Sequence, residues 1–260
     1  MYKKILIGLV TVVTSWFFSS VNAVEHHHEG DIQPWKVGAE IFVNSNLFEP
    51  DFGDIGGGLY ATDEPGFDVY IEKGAFTPGN WLRFQPTGKL LFWNGIEWSS
   101  VMPNGERIEI TDALDNIISY RADGTSTIPG VIGEIGSDGG LHDHLEMSIF
   151  NASNTLGGST GAYRIELKLF ESKANSDTSV AIAASPIAIV FNRGLAQDKF
   201  ELAVSAAEDL KDNSVFVAET GMLTIQRVKA LGSYYQAKLK HLGDNKFELI
   251  DVKEIPATKE

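Results

Sequence analysis

Short apolar runs broken by glycine, proline and aspartate recur along the chain from Ile41 to Phe191. Such runs between turn-forming residues are typical of β-strands. The stretch from Tyr163 to Phe170 alternates apolar and polar residues, which predicts a strand with one solvent-exposed face. Closely spaced strands favour an antiparallel β-sandwich or a barrel-like domain. The predicted strands are Trp81–Phe84, Leu90–Trp93, Arg107–Ile110, Leu145–Phe150, Tyr163–Phe170 and Ile187–Phe191.

A short helix is predicted to follow this β-rich region. Over Gln197–Leu210, apolar residues including Phe200 and Val204 recur near helical spacing, without glycine or proline. The chain then returns to strands, with a turn at Asp244-Asn245, and we expect a small antiparallel β module. Its predicted strands are Val215–Ala218, Met222–Arg227, Tyr234–His241 and Phe247–Val252.

The first 23 residues have the three parts of a secretory signal. Lys3 and Lys4 precede the apolar stretch Ile5–Phe18, and Ala23 supplies the small residue at the cleavage site. No later segment approaches the roughly 20 apolar residues of a membrane-spanning helix. We therefore expect a periplasmic or secreted protein without a membrane span. The predicted organisation is a signal peptide (1–23), a β-sandwich domain (24–196), a helical linker (197–212) and the β module (213–256).

Composition restricts the partners of the chain. Its 21 basic and 35 acidic residues give a net charge of −14, and removal of Lys3 and Lys4 with the signal gives −16. A polyanion repels nucleic acid and attracts cations. The sequence has no cysteine, so neither disulfides nor thiolate metal sites are available. Nucleic acid is thus excluded as a partner, and a metal ion bound through imidazole and oxygen is favoured.

Two of the six histidines lie in the sequence Leu141-His142-Asp143-His144-Leu145-Glu146. On a single strand, His142, His144 and Glu146 share one face, with residues two apart separated by roughly 6.5–7 Å. Imidazoles at that spacing can converge on one ion at about 2.0–2.1 Å from each nitrogen. We predict a zinc site here, with Glu146 either a ligand or a residue that orients a histidine. The alternative is a solvated strand face that carries histidines.

Three further histidines, His26, His27 and His28, follow the predicted cleavage site. Adjacent side chains of an extended chain point to opposite sides, so three in a row seldom form one rigid site. A polar terminus of this kind can still capture an ion or complete the site of His142 and His144. The alternative is an ordinary disordered terminus.

Other chemistry is less well supported. The acidic, glycine-rich stretches Asp51–Gly58 and Thr62–Asp68 suit calcium in composition, but their spacing departs from the EF-hand pattern, and turn formation explains most of their composition. No G-x-S-x-G, H-E-x-x-H or phosphate-binding loop motif is present. The sequence therefore predicts a protein that is not an enzyme.

Several stretches carry a resemblance to a known family: the His-rich start running into Gly30-Asp31-Ile32, then Thr62–Asp68, Leu91–Gly95, Leu141–Leu145 and Pro186–Asn192. They resemble exported bacterial proteins whose genes are under the control of a zinc-uptake repressor, many of them with a C-terminal PEP-CTERM sorting signal. The resemblance implies a zinc-linked envelope role, such as zinc capture under limitation. The end of this sequence, Ile255–Glu260, departs from that signal, and Thr220–Leu249 resembles a small β module common in exported bacterial proteins.

A second hypothesis is a non-metal surface or matrix module that recognises a glycan or an envelope protein. The aromatic residues between Trp81 and Trp98 motivate it, because exposed rings form binding platforms. The alternative for these rings is the hydrophobic core.

Overall fold

The computed structural model of this protein describes residues 30–53, 58–210, 214–217, 220–230, 233–243 and 246–255. The predicted signal segment, His26–His28 and the predicted turn at Asp244-Asn245 lie outside these ranges. The fold is mainly β, with 52% of residues in strands and 8% in helices, which confirms the predicted fold class. Within the described ranges, no helix is long and apolar enough to cross a membrane.

Within residues 30–53 and 58–196, sixteen strands precede the α-helix. In chain order they are β1 (Pro34–Val37), β2 (Glu40–Val43), β3 (Leu47–Phe48), β4 (Ala61–Thr62), β5 (Phe67–Asp68), β6 (Asn80–Trp93), β7 (Trp98–Ser99), β8 (Arg107–Thr111), β9 (Ile117–Arg121), β10 (Gly124–Thr125), β11 (Gly130–Glu134), β12 (His142–Asp143), β13 (Glu146–Phe150), β14 (Gly161–Lys173), β15 (Ser179–Ala183) and β16 (Ile187–Arg193). A 3-10 turn, Gly58–Tyr60, lies between β3 and β4.

Two sheets pack face to face. The larger sheet is centred on β14, which pairs with β6 along one edge and with β15 and β16 along the other. The smaller sheet has the order β10-β9-β8-β13-β4, and β5 and β12 form a separate two-stranded ribbon. One continuous core joins the inner faces, including Ile108 and Tyr120 from the smaller sheet and Phe84 and Tyr163 from the larger. Burial of these apolar side chains, in a chain without disulfides, is the main stabilising contribution.

The prediction of a solvent-exposed face for Tyr163–Phe170 is wrong. Strand β14 is buried along most of both faces. Its inner face joins the sandwich core, whereas on the other face Ala162 lies beneath the helix and the buried Arg164 donates a hydrogen bond to Glu166. The alternating polar residues of this strand therefore make buried polar contacts. The alternation alone does not distinguish such a face from a solvent-exposed one.

The helix α1 (Gln197–Leu210) has the predicted bounds. Phe200, Ala203, Val204 and Ala207 form one apolar face, which is buried against a cluster that includes Trp93. The helix therefore packs on the larger sheet, while the domain bounds proposed above stay a prediction. A four-stranded antiparallel sheet follows, made of β17 (Ser214–Val217), β18 (Met222–Ala230), β19 (Ser233–Gly243) and β20 (Lys246–Ile255).

Candidate metal centre

The candidate site is built where three chain segments run side by side. Residues 30–32 lie along residues 66–68, because the Ile32 amide donates to the Gly66 carbonyl and the Asp68 amide donates to the Ile32 carbonyl, both at 2.9 Å. On the other side of the second segment, β5 pairs with β12, with His142 directly opposite Asp68. Parts of the chain that are far apart in sequence therefore meet at one place.

The prediction of one continuous strand from His142 to Phe150 is wrong. Strand β12 ends at Asp143, whose carboxylate accepts a hydrogen bond from the His144 amide at 2.9 Å. Strand β13 begins at Glu146 and belongs to the smaller sheet. The side chain of Glu146 is exposed and accepts a hydrogen bond from Ser148 at 3.1 Å. The common face that made Glu146 a candidate ligand therefore does not form, and neither of the potential metal-binding groups among the described residues includes it.

His142 in β12 and His144 directly after it nevertheless lie with their rings close together. Their Nε2 atoms lie 3.3 Å apart. Two nitrogens bound at about 2.0–2.1 Å to a tetrahedral ion lie about 3.3–3.4 Å apart, so the pair already has the spacing of one edge of a zinc tetrahedron. The end of β12 at Asp143, rather than one continuous strand, produces this arrangement, and metal binding by the pair stays a prediction.

The other nitrogen of each ring faces an acceptor. Nδ1 of His144 lies 3.1 Å from the carbonyl oxygen of Asp63, which can only accept, so that nitrogen carries the proton. Nδ1 of His142 lies 3.5 Å from a carboxylate oxygen of Asp68. Binding of one metal ion by both Nε2 atoms requires the ring protons on the Nδ1 atoms, which is where these two acceptors lie. Outer partners of this kind orient metal-binding histidines and make them more basic.

The ring of His144 is also fixed by its contact with Gly66. A Cβ atom at position 66 would lie 2.5–2.9 Å from three atoms of the imidazole. Glycine is therefore required for the ring to rest against the backbone. The Gly66 amide also donates to Asp31 at 3.1 Å and to Glu64 at 3.3 Å, so one residue positions three members of the site.

Asp31 completes the group. One of its carboxylate oxygens and one ring nitrogen from each of His142 and His144 lie within 4.8 Å of one another. Asp31 is only 1% exposed. Its Oδ1 accepts the hydrogen bond from Gly66, and its Oδ2 is buried without a hydrogen-bond partner in the described part of the chain. A buried carboxylate oxygen in that state is costly unless a cation lies nearby.

The surroundings of the histidine pair are strongly acidic. Asp63 and Glu64 form a second potential group with His144. Burial raises the pKa of Glu64, and the neighbouring charge of Asp31 raises it further, while His144 opposes this rise. The side chains of His142 and His144 are 44% and 24% exposed, so an ion bound between them would be reached from solvent.

Asp31, Glu64 and Asp68 were not predicted as members of this site. The sequence of Thr62–Asp68 indicated only turns, a calcium-like composition and the family resemblance. In the fold, this stretch places the Asp63 carbonyl beside His144 and the Asp68 carboxylate beside His142. The closeness of Asp31 to the strong histidine signal depends on strand pairing. No local spacing rule would have found it.

His241 and most of the aromatic residues between Trp81 and Trp98 pack against other parts of the fold. His241 packs its ring against Phe247, with centroids 5.1 Å apart. Of the aromatic residues between Trp81 and Trp98, the rings of Phe84, Phe92 and Trp93 are buried, and the indole of Trp98 donates to the Ala203 carbonyl at 3.1 Å. The core alternative for these three buried rings is confirmed, and they provide no binding platform.

No family model, no curated protein and no solved structure matches this chain.

Proposed function

We propose that this protein binds a divalent transition-metal ion, zinc in the first place, through His142, His144 and Asp31. The observation that carries the proposal is the approach of the two Nε2 atoms to 3.3 Å while each Nδ1 faces an acceptor. A proton or a metal ion can lie between these two nitrogens, and the two compete.

Zinc suits this set of donors. Imidazole nitrogen and carboxylate oxygen are its usual ligands in the absence of cysteine. Two imidazoles and one carboxylate leave at least one coordination position for water or another ligand. We propose that the bound ion is captured or scavenged and that no reaction is catalysed.

The biological setting is part of the same proposal. The leader-like first 23 residues favour export to the periplasm or outside the cell. The resemblance to proteins under zinc-uptake-repressor control favours action when zinc is scarce. His26–His28 are proposed to assist, since His28 precedes Asp31 by three residues and the connecting chain spans at most about 11 Å.

Calorimetric titration of the metal-stripped protein with zinc tests this function. The wild type should bind zinc tightly at neutral pH and more weakly near pH 5, because protons compete for the imidazoles. His142→Ala combined with His144→Ala should weaken zinc binding by at least about 100-fold, since even the loss of an outer partner of a ligand costs about 10–100-fold.

His241→Ala is the matched control, because it removes a histidine whose ring packs against Phe247, outside the site. It should leave zinc binding unchanged. Equal binding by the wild type and the double variant, with the fold intact by circular dichroism, would show that the proposed site is wrong.

A further inference from the structure

The four-stranded sheet of β17–β20 has one apolar face. The strand register aligns two rows of apolar residues across β18, β19 and β20, namely Leu223, Leu239 and Leu249, and Ile225, Ala237 and Val252. Residues directly opposite each other on paired strands point to the same side, and so do residues two apart along one strand. The two rows are therefore neighbours on one face, which is apolar across three strands.

The other face of this sheet is charged. Lys240 lies opposite Glu248, and Lys238 lies opposite Asp251. Because the two lysines alternate with Leu239 along β19, these pairs point to the side away from the apolar rows. All four residues are exposed to solvent, and pairs of opposite charge across two strands are typical of a solvated face. The sheet is thus amphipathic, with one face suited to water and one suited to a second apolar layer.

The described part of the chain leaves the apolar face accessible to solvent. Leu249 and Val252 are 58% and 50% exposed, and the other four residues of the two rows are half-buried. Neither of the two apolar clusters among the described residues includes any member of these rows. A sheet with one apolar face is stable when that face packs on another layer. This face therefore offers a docking surface to another molecule.

The charge of this region favours a second copy of the chain as that molecule. Residues 214–255 contain six basic and five acidic residues, a net charge of +1, whereas the whole chain carries a net charge of −14. Two copies that approach through the rest of the chain repel one another, but two copies that approach through this sheet bring nearly neutral regions together. The two rows contain no charged residue, so the face is complementary to itself.

We propose that the chain forms a homodimer in which the apolar faces of two β17–β20 sheets pack on each other as a β-sandwich. Strands about 4.8 Å apart, with a rise of about 3.4 Å per residue, give this sheet an outline of about 500 Å². Two such faces bury about 1,000 Å² in total, which is the size that a specific interface needs. The interface lies in β18–β20 rather than at His142 and His144, so this inference goes beyond the proposed metal binding and does not depend on it.

Sedimentation velocity of the full chain, exported so that its leader is processed, tests the proposal. The wild type should be a dimer at micromolar concentrations. Leu249→Gln with Val252→Gln places polar groups in the apolar face and should raise the Kd of the dimer by at least about 100-fold. Glu248→Gln with Lys253→Gln is the matched control and should remain a dimer. It introduces the same side chain on the charged face of β20 and likewise leaves the net charge unchanged.

Thiol labelling reports on the apolar face without a disruptive substitution, since the chain has no cysteine of its own. The thiol of Ala237→Cys, in the middle of the face, should react with a soluble maleimide several-fold more slowly at a protein concentration above the Kd than far below it. The thiol of Lys238→Cys, on the charged face, should react at the same rate at both concentrations.

Three results would overturn the proposal. A wild type that stays monomeric at these concentrations would leave the face to a different protein. A dimer that persists in the Leu249→Gln, Val252→Gln protein would show that another surface holds the copies together. Equal labelling rates for Ala237→Cys at both concentrations would show that the face stays open, whether or not the glutamine variant folds. None of these measurements involves zinc, so failure of the dimer and failure of the proposed function are distinguishable.

Discussion

Asp31 and Glu171 are both buried carboxylates, with 1% and 0% of their surfaces exposed. Glu171 accepts hydrogen bonds from the ammonium of Lys36 at 2.7 Å, the side chain of Asn80 at 2.7 Å and the amide of Thr77 at 3.0 Å. Burial raises the pKa of Glu171, but the bonds from Lys36, Asn80 and Thr77 outweigh this effect, so the net pKa is lowered. Its charge is fully compensated within the fold.

Asp31 has no such set of donors. Its Oδ1 receives one backbone hydrogen bond from Gly66, and two imidazoles lie close by with their Nδ1 atoms directed at other acceptors. The two carboxylates are buried to the same degree, but only Glu171 has its charge matched by donors within the fold; we propose that a cation has this role for Asp31. The donors around each carboxylate make the difference.

The largest predicted effect concerns stability without metal. Glu171→Gln should lower the free energy of unfolding by about 3 kcal/mol, because the Lys36 ammonium loses its buried partner. Asp31→Asn should change it by less than about 0.5 kcal/mol, since the amide oxygen still accepts from Gly66 and the substitution removes a buried charge. Denaturant unfolding of the metal-stripped proteins measures both, and a larger loss for Asp31→Asn would reverse the comparison.

Acid should remove the advantage of Glu171. Because its folded pKa lies below the ordinary 4.5, its stabilising contribution is fully present above pH 4.5 and is lost as the pH falls through the folded value. Wild type and Glu171→Gln should therefore differ in unfolding free energy at pH 7 and approach one another well below pH 4.5. A difference that grows in acid would contradict the assigned contacts.

Zinc should reverse the ranking of these two variants. Asp31→Asn should weaken zinc binding by about 10–100-fold, since the neutral amide is a poor substitute for a carboxylate ligand. Glu171→Gln should bind zinc as the wild type does. Titration calorimetry at neutral pH measures both affinities, and a wild-type affinity for Asp31→Asn would remove Asp31 from the site.

A smaller effect is expected from Gly66→Ala. The added methyl group would overlap the His144 ring and displace it, although no ligand is removed. Zinc affinity should fall by about tenfold, within the range seen for residues that orient ligands. Gly79→Ala removes a glycine whose Cβ position has nothing within 4 Å, although its φ of +75° adds backbone strain. It should leave zinc affinity unchanged, and equal affinities for the two variants would show that ring position is unimportant.

The smallest effect distinguishes the strand prediction from the observed site. Glu146→Gln should change zinc affinity by less than about twofold, because this side chain bonds to Ser148 in the smaller sheet. A loss comparable with that of Asp31→Asn would restore Glu146 as a ligand and contradict the arrangement described here.

Local sequence patterns predicted the helix and the closeness of the two histidines in sequence, but not the strand end that separates them from Glu146. Helix α1 follows from one apolar face of four residues, a local pattern, and its bounds were predicted correctly. The histidine pair was found because His142 and His144 are two residues apart. Glu146 was misplaced because the Asp143 carboxylate bonds the next amide and the strand ends there.

The acidic members of the site required long-range information. Asp31 and the histidines are more than 100 residues apart, and they meet only because residues 30–32, 66–68 and 142–143 align as neighbouring strands. The role of Gly66 depends on the close approach of one ring to its backbone. Neither feature has a periodic signature in the sequence.

The position of bound zinc would show whether His142 and His144 are its ligands. An anomalous difference map, recorded at the zinc absorption edge from crystals of the zinc-loaded protein, would locate the ion without assumptions about its ligands. We expect a peak about 2.0–2.1 Å from Nε2 of both His142 and His144, with an Asp31 oxygen as a further ligand. A zinc peak elsewhere, with none between these two imidazoles, would show that the proposed site is wrong.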